Sequence, residues 1–193
     1  MRGLRGPAVV AGVMVGLTAC SGISGTNEGG YITLDGNITQ YAEGHRDGPV
    51  ALSGQTLQGE DLRVEPGQVS VVNVWWSLCG PCRTEMPMLQ EVAAENPDIR
   101  FVGINIRDSS PDNAIAFENE MGVDYPSLFD PDGRVVASMP IRVIAPPTTY
   151  VLDSDSNVSS MVAGTIPSKL TLEGLIEDAG GVLADSGSTG SAS

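Results

Sequence analysis

Basic residues are scarce in this chain. Its 193 residues include ten Lys and Arg against 24 Asp and Glu, which gives a formal net charge of −14 at pH 7. A surface this acidic repels the phosphates of nucleic acids and gains nothing from anionic lipid headgroups. We therefore expect no nucleic acid partner, and any attachment to a membrane has to come from something other than a basic patch.

A hydrophobic run long enough to cross a membrane is missing at the N-terminus. Residues 6–19 are uncharged and mostly small and apolar, whereas a spanning helix needs about 20 apolar residues. Arg2 and Arg5 precede the run, which is the arrangement of a secretory signal peptide. Removal of residues 1–19 takes away these two positive charges and lowers the net charge from −14 to −16.

Residues 17–20, Leu-Thr-Ala-Cys, resemble the lipobox of bacterial lipoproteins, in which the cysteine is acylated and begins the mature chain. We therefore expect Cys20 to be lipidated and to anchor the protein on the extracytoplasmic face of the cell membrane. The alternative is an ordinary signal peptide followed by a free cysteine. Both interpretations place the protein outside the cytosol.

Cysteine and histidine are rare as well. With Cys20 assigned to a lipid, the candidates for a zinc site are Cys79, Cys82 and the single histidine, His45, whereas such sites normally have four ligands. The sequence shows neither a Ser-His-Asp set nor a phosphate-binding loop. We expect no metal and no bound cofactor.

The length suits one folded domain with polar ends. We predict a lipid-anchored tether and N-terminal extension over residues 20–47, a single domain over residues 48–182 and a disordered tail rich in Ser and Gly over residues 183–193. A monomer is expected.

Apolar residues follow strand-like and helix-like periods in turn. Strands are predicted at residues 69–75, 99–106, 127–129, 148–152 and 158–163, with short candidates at 31–34 and 50–57, and helices at 81–94, 111–121 and 168–179. The order β-α-β-α-β-β-α predicts an α/β fold with helices on both faces of the sheet. The antiparallel hairpin near its end makes the sheet mixed.

Two cysteines lie one helical turn apart directly after an apolar strand, with Gly80 and Pro81 between them. At a helix N-terminus, free N–H groups and the helix dipole stabilise a thiolate. Cys79 is therefore predicted to be the exposed nucleophile and Cys82 the buried resolving thiol of a redox-active disulfide. The alternative is an inert structural disulfide, although closing a loop of two residues restricts little of the unfolded chain.

The surrounding residues carry a family resemblance. Residues 73–87, Asn-Val-Trp-Trp-Ser-Leu-Cys-Gly-Pro-Cys-Arg-Thr-Glu-Met-Pro, resemble the Asn-Phe-Trp-Ala-x-Trp-Cys-x-x-Cys-Arg-x-Glu-Met-Pro signature of the ResA/TlpA family of membrane-anchored, thioredoxin-like oxidoreductases. Residues 102–108, 125–130 and 147–153 are similar to its later landmarks. The resemblance implies a thioredoxin-like fold with an N-terminal hairpin and a strand-helix insertion at about residues 106–128.

The same resemblance implies a substrate surface. It makes Pro147 a cis-proline facing the cysteines, with an ordinary trans proline as the alternative. The implied substrate-binding residues are Trp76, Leu78, Gly80, Pro81, Pro146, Pro147 and Thr148. Leu78 replaces a tryptophan that is usual in the family, and Trp76 stands where alanine is common, so a second expectation for Trp76 is that it fills core volume.

A proton acceptor is expected near the resolving thiol. Thioredoxin has a buried aspartate six residues before its first cysteine, where this chain has Asn73, which does not titrate. The resemblance implies that Glu85, three residues beyond Cys82 on the same side of the helix, takes this catalytic role. The alternative is a solvated helix glutamate, and Arg83 is expected to be solvated.

The resemblance implies an extracytoplasmic thiol-disulfide oxidoreductase that reduces the haem-binding cysteines of apocytochrome c during cytochrome c maturation. Its partners would be protein thiol or disulfide substrates and a membrane thiol-disulfide electron carrier. Two alternatives stay open. One is a Dsb-like thiol oxidase that forms disulfides in exported substrates, and the other is a non-catalytic binding lipoprotein with a structural disulfide.

Overall fold

A seven-stranded sheet forms the centre of the fold. The computed structural model describes residues 31–34, 37–141 and 145–184, so the predicted signal peptide, Cys20 and residues 185–193 of the predicted tail lie outside the described residues. The strands are β1 (Tyr31–Leu34), β2 (Ile38–Tyr41), β3 (Leu52–Gln55), β4 (Asp61–Val64), β5 (Ser70–Trp75), β6 (Arg100–Ile106), β7 (Ser127–Asp130), β8 (Thr148–Leu152) and β9 (Val158–Ala163). The helices are α1 (Gly80–Glu95), α2 (Pro111–Met121), α3 (Arg134–Ala137) and α4 (Lys169–Asp178).

The strand order in this sheet is β1-β2-β9-β8-β5-β6-β7. Strands β5, β6 and β7 are parallel, whereas β8 is antiparallel to β5 and β9 is antiparallel to β8. Strands β3 and β4 form a separate two-stranded hairpin. The mixed sheet, with helices between its strands along the chain, confirms the predicted α/β class.

Strand β5 lies between β8 and β6, and both of its faces are covered. Its six residues are all buried, and alternate side chains point to opposite faces. Val71 packs in one apolar cluster with Leu89 and Val92 of α1. Val72 and Val74 pack in a second cluster on the other face, where the β3-β4 hairpin and α3 also lie.

Helix α1 carries the cysteine pair directly after β5. Cys79 is its N-cap and Pro81 lies in the first turn, where a missing N–H disturbs no helical bond. Met86, Leu89 and Val92 are buried and form one apolar face of the helix. Helix α4 packs against α1, and α2 lies beside α1 at the end that carries the disulfide.

Three elements were not predicted, namely β2, β4 and α3. Strands β1 and β2 join the main sheet, so the sheet extends N-terminally of residue 48, where the sequence predicted the domain to start. The strand candidate at 50–57 is shorter in the structure, and β3 covers only its middle.

Among the described residues, no helix combines the length and apolarity that crossing a membrane requires.

Candidate active site

Cys79 and Cys82 form a disulfide at the N-terminus of α1. The backbone N–H of Cys82 donates to Cys79 Sγ over 3.1 Å. When the pair is reduced, this N–H and the positive end of the helix both favour the thiolate of Cys79. The local geometry therefore suits Cys79 as the attacking sulfur.

Both cysteines are more buried than the sequence predicted. Cys82 has no exposed surface, as expected for a resolving thiol, but Cys79 is only 5% exposed, so its prediction as an exposed nucleophile is wrong in degree. The reason is that Cys79 packs in an apolar cluster with Trp75, Met86 and Phe117. The neighbouring Leu78 is 77% exposed, which makes it the more prominent part of the surface.

The other residues predicted to bind substrate lie around this end of the sheet. Gly80 and Pro81 are exposed, Pro146 is half-buried, and Pro147 and Thr148 are buried. The Pro146-Pro147 peptide bond is cis, as the resemblance implied. Thr148 pairs with Val74 in the sheet, so Pro147 lies near the carboxyl end of β5, the same end from which the chain runs to the disulfide.

Glu85 is buried between α1 and the sheet, with 2% of its surface exposed. Its Oε1 accepts a hydrogen bond from Asn73 Nδ2 at 2.8 Å, and its Oε2 accepts one from the Ile166 N–H at 3.1 Å. The alternative of a solvated helix glutamate is therefore wrong.

The pKa of Glu85 is raised from 4.5 to about 7, because burial disfavours the carboxylate more than its two hydrogen bonds favour it. A carboxyl group with this pKa is divided between its two protonation states at neutral pH. It lies one helical turn beyond Cys82, and both side chains are on the buried side of α1.

A second buried carboxyl group, that of Glu118 in α2, was missed by the sequence reading. Glu118 is 5% exposed, and burial raises its pKa to about 7 although a hydrogen bond with Ser127 opposes the rise. The buried hydroxyl of Tyr125 has a raised pKa because of burial and the charges of Glu85 and Glu118. Two buried carboxyl groups with raised pKa values, those of Glu85 and Glu118, therefore act on the same tyrosine. The sequence gives no sign that Glu118 is buried, because an acidic residue on an amphipathic helix is expected to face solvent.

The two tryptophans have different environments. Trp75 is fully buried and stacks on Phe117, with ring centroids 5.3 Å apart. Trp76 is only half-buried, and the guanidinium of Arg107 lies 5.8 Å from its ring centroid. Trp76 packs against the apolar cluster that contains Trp75, so the expectation that it fills core volume holds only for the buried part of its side chain. Arg83 is exposed, as expected, and forms an ion pair with Glu120.

The loop between β5 and α1 is fixed by a buried carboxylate, that of Asp108. Asp108 accepts hydrogen bonds from the Ser77 N–H at 2.9 Å, from Ser77 Oγ at 2.6 Å and from Asn105 Nδ2 at 2.7 Å. These bonds tie the segment before Cys79 to the end of β6. Sequence spacing gave no indication of this contact, because Ser77 and Asp108 are 31 residues apart.

Within the described part of the chain, no group of three or more His, Cys, Asp and Glu side chains is arranged to hold a metal ion.

A sequence model of the AhpC/TSA family matches residues 47–161. The chain belongs to the AhpC/TSA family. It is 35% identical over 108 residues to the thiol:disulfide interchange protein DsbE of Allochromatium vinosum, and the match spans 55% of this chain and 58% of that relative. The chain thus spans less than two thirds of that relative's length.

Two solved structures are also similar to this chain. A secreted thiol-disulfide isomerase from Corynebacterium glutamicum is 32% identical, with a TM-score of 0.66 over 77% of this chain and 96% of that one. A DsbF homologue from Corynebacterium diphtheriae is 29% identical, with a TM-score of 0.68 over 73% of this chain and 92% of that one. The predicted relationship to thioredoxin-like thiol-disulfide oxidoreductases is confirmed.

Proposed function

We propose that this protein is a thiol-disulfide oxidoreductase that reduces disulfides in other proteins. The observation that carries the proposal is a Cys79-Cys82 disulfide at a helix N-terminus with the buried carboxyl group of Glu85 one turn away. An inert disulfide needs neither feature. The similarity to thiol:disulfide interchange proteins supports the same activity.

The proposed reaction transfers two electrons from the reduced pair to a substrate disulfide. The Cys79 thiolate attacks one substrate sulfur, which forms a mixed disulfide and releases the other substrate sulfur as a thiolate. Cys82 then gives its proton to Glu85 and attacks Cys79 Sγ. The intramolecular disulfide forms again, the substrate leaves with both of its cysteines reduced, and the proton on Glu85 is available to a substrate thiolate.

For the substrate, we propose the haem-binding cysteines of apocytochrome c, with electrons supplied by a membrane thiol-disulfide carrier. The support is the ResA/TlpA-like signature at residues 73–87. The Cys-Gly-Pro-Cys loop, which thioredoxin shares, favours reduction over oxidation. The Dsb-like oxidase and the non-catalytic binding lipoprotein are the outcomes that the experiment has to separate from this one.

The test is a trap for the mixed disulfide. A Cys82→Ser variant, produced in the native host, is expected to accumulate disulfide-linked partners through Cys79, because the resolving step is blocked. Cys79→Ser and the double variant are the matched controls and should trap none. Recovery of a protein with a Cys-x-x-Cys-His haem site supports the proposed substrate. Recovery of varied exported proteins instead supports the oxidase, and no trapped partner supports the binding protein.

We also propose that the protein works outside the cytosol, held to the membrane by a lipid on Cys20. The support is the signal-like residues 1–19 and the lipobox-like residues 17–20. A Cys20→Ala variant should leave the membrane fraction without losing its fold. Continued retention of that variant on the membrane would contradict acylation at this residue.

A further inference from the structure

A groove of about 390 Å³ lies beside the disulfide, between α2 and the loop that precedes α1. Its walls include Trp76 and Leu78 from that loop, Arg107 after the end of β6, and Phe117 from α2. Leu78 directly precedes Cys79 and is 77% exposed. A polypeptide that approaches Cys79 from this side therefore lies along the groove.

Two cations line this groove, and Arg107 is the one without a carboxylate partner among the described residues. Each of the other cationic side chains in the described ranges contacts an oxygen: Arg46, Arg63, Arg83, Arg134 and Lys169 pair with carboxylates, and Arg100 donates to the Glu65 carbonyl. The contact found for the Arg107 guanidinium is with the face of Trp76. The chain has 24 acidic residues and only ten basic ones, so most guanidinium groups are expected to find a carboxylate partner. Arg107, which lies beside the reactive disulfide, is an exception.

The backbone of Arg107 is also unusual. Its φ is 63°, in the left-handed region that residues with a Cβ rarely adopt. Such backbone persists where surrounding contacts hold it, and it is concentrated at ligand sites and active sites. Here the next residue, Asp108, is fixed by its bonds to Ser77 and Asn105, so the chain is anchored directly after the strained position.

The carboxylates that line the groove are already engaged. Asp108 accepts three hydrogen bonds, and Glu120 is paired with Arg83. The formal charges that line the groove balance, with Arg83 and Arg107 against Asp108 and Glu120, whereas the chain as a whole has a net charge of −14. Asp108 is buried and Glu120 is paired, so the exposed Arg107 guanidinium is the charged group at this surface that a partner can reach. An acidic group on a partner is therefore repelled less at this groove than by the protein in general, and the Arg107 guanidinium is there to pair with it.

We propose that the groove binds a segment of the substrate polypeptide that has an Asp or Glu side chain close to the reacting cysteine, and that Arg107 selects this carboxylate. The inference rests on the proposed exchange activity and adds a preference for particular substrates. Trp76 and Leu78 provide apolar contact for the adjoining residues. Because the pair is at the surface, the expected preference is roughly threefold to fivefold, the upper part of the range for exposed ion pairs.

The test uses two peptides with a Cys-x-x-Cys disulfide that differ only in having Glu or Gln next to the first cysteine. The reduced full-length protein is mixed with each oxidised peptide, and the exchange rate is measured after acid quenching. The variants are Arg107→Gln, which keeps a Cβ at the strained position, and Arg63→Gln, which removes the same charge from the exposed hairpin strand β4. In parallel, binding of the same peptides with Ser in place of Cys is measured on the oxidised protein.

The wild type and Arg63→Gln should favour the Glu peptide in both measurements, and Arg107→Gln should lose the preference. The preference should also shrink as salt screens the charge. Equal rates and equal binding of the two peptides, or a preference that survives in Arg107→Gln, would overturn the proposal for the groove and leave the exchange activity standing. If neither peptide is reduced but binding still depends on Arg107, the proposed activity fails and the groove stands.

Discussion

The side-chain amide of Asn73 donates a hydrogen bond to Glu85 Oε1 over 2.8 Å, from the central strand to the helix that carries the disulfide. Asn73 lies six residues before Cys79, at the position where thioredoxin has an aspartate. Two carboxyl groups this close would repel each other when ionised. In this chain Asn73 does not titrate, so Glu85 is the group that we propose for the proton transfer of the resolving step.

Replacement of Glu85 by Gln is expected to slow the resolving step about 100-fold at neutral pH, the typical worth of a positioned acid or base. The rate at which substrate leaves the mixed disulfide should rise with pH up to about 7 in the wild type, because Glu85 has to be ionised to accept the proton. This inflection should be absent in Glu85→Gln. Glu91→Gln, an exposed position on the same helix, is the control, and an inflection near pH 7 that persists without Glu85 would rule out its role.

Asn73→Ala is expected to move that inflection to higher pH. The hydrogen bond from Asn73 lowers the pKa of Glu85, so its loss lets burial raise the pKa further. Thr149→Val is the matched control, since Thr149 accepts the other hydrogen bond of the same amide at 2.9 Å, whereas the hydrogen bonds to Glu85 come from Asn73 and Ile166. The pH profiles of the two variants should therefore differ, and identical profiles would show that the Asn73-Glu85 bond does not tune the site.

Stability should depend on pH in a way that follows from Glu85 and Glu118. Both carboxyl groups ionise near pH 4.5 in the unfolded chain, but burial raises their pKa to about 7 in the fold. The folded state therefore binds more protons between these values, and the free energy of unfolding falls as the pH rises from about 4.5 to about 7. Each group accounts for about 3 kcal/mol of this fall.

Urea titrations of the oxidised protein at pH 4 and pH 8 measure the effect. The difference in unfolding free energy between the two pH values should be about 3 kcal/mol smaller in Glu85→Gln and in Glu118→Gln than in the wild type. Glu60→Gln, at an exposed position, should leave the difference unchanged. A variant at 85 that keeps the wild-type pH dependence would show that this carboxyl group is not held protonated in the fold.

Asp108→Ala is expected to loosen the segment before Cys79. The substitution leaves the Ser77 N–H and the buried amide of Asn105 without their acceptor, which costs about 1–3 kcal/mol. Thermal or urea denaturation measures this loss, with Asp98→Ala at an exposed position as the control. We also expect slower attack by Cys79, and a variant with wild-type stability and rate would show that this anchor is dispensable.

The long helices and strands could be predicted because each buries one or both faces. Burial requires apolar residues at the spacing of a helix or a strand, and that spacing is visible in the sequence. The bounds of α2, β8 and β9 agree with the prediction, and those of β5 and α1 differ by one residue at each altered end. Strand β2 was not predicted because only Ile38 of its four residues is buried, so it has no alternating apolar pattern. Helix α3 was not predicted because four residues are too few to show a helical period.

The candidate site could be predicted only where neighbours in space are also neighbours in sequence. The cysteine pair and Glu85 lie within one segment and match a family signature. The Asn73-Glu85 bond, the anchor formed by Asp108 and the burial of Glu118 all depend on how helices settle against the sheet. Residue type and spacing do not determine how the helices pack on the sheet, so these three features could not be predicted from the sequence.

The reduction potential of the Cys79-Cys82 pair tests the proposed direction of electron flow most directly. It is measured by equilibrating the protein with dithiol and glutathione buffers of known potential and counting free thiols. Thioredoxin-fold proteins range from about −270 mV for thioredoxin to about −120 mV for DsbA, and 30 mV corresponds to about 1.4 kcal/mol. A reductase should have a potential below about −200 mV, towards thioredoxin. A potential near −120 mV would contradict the reductase and leave this protein as an oxidant of exported thiols.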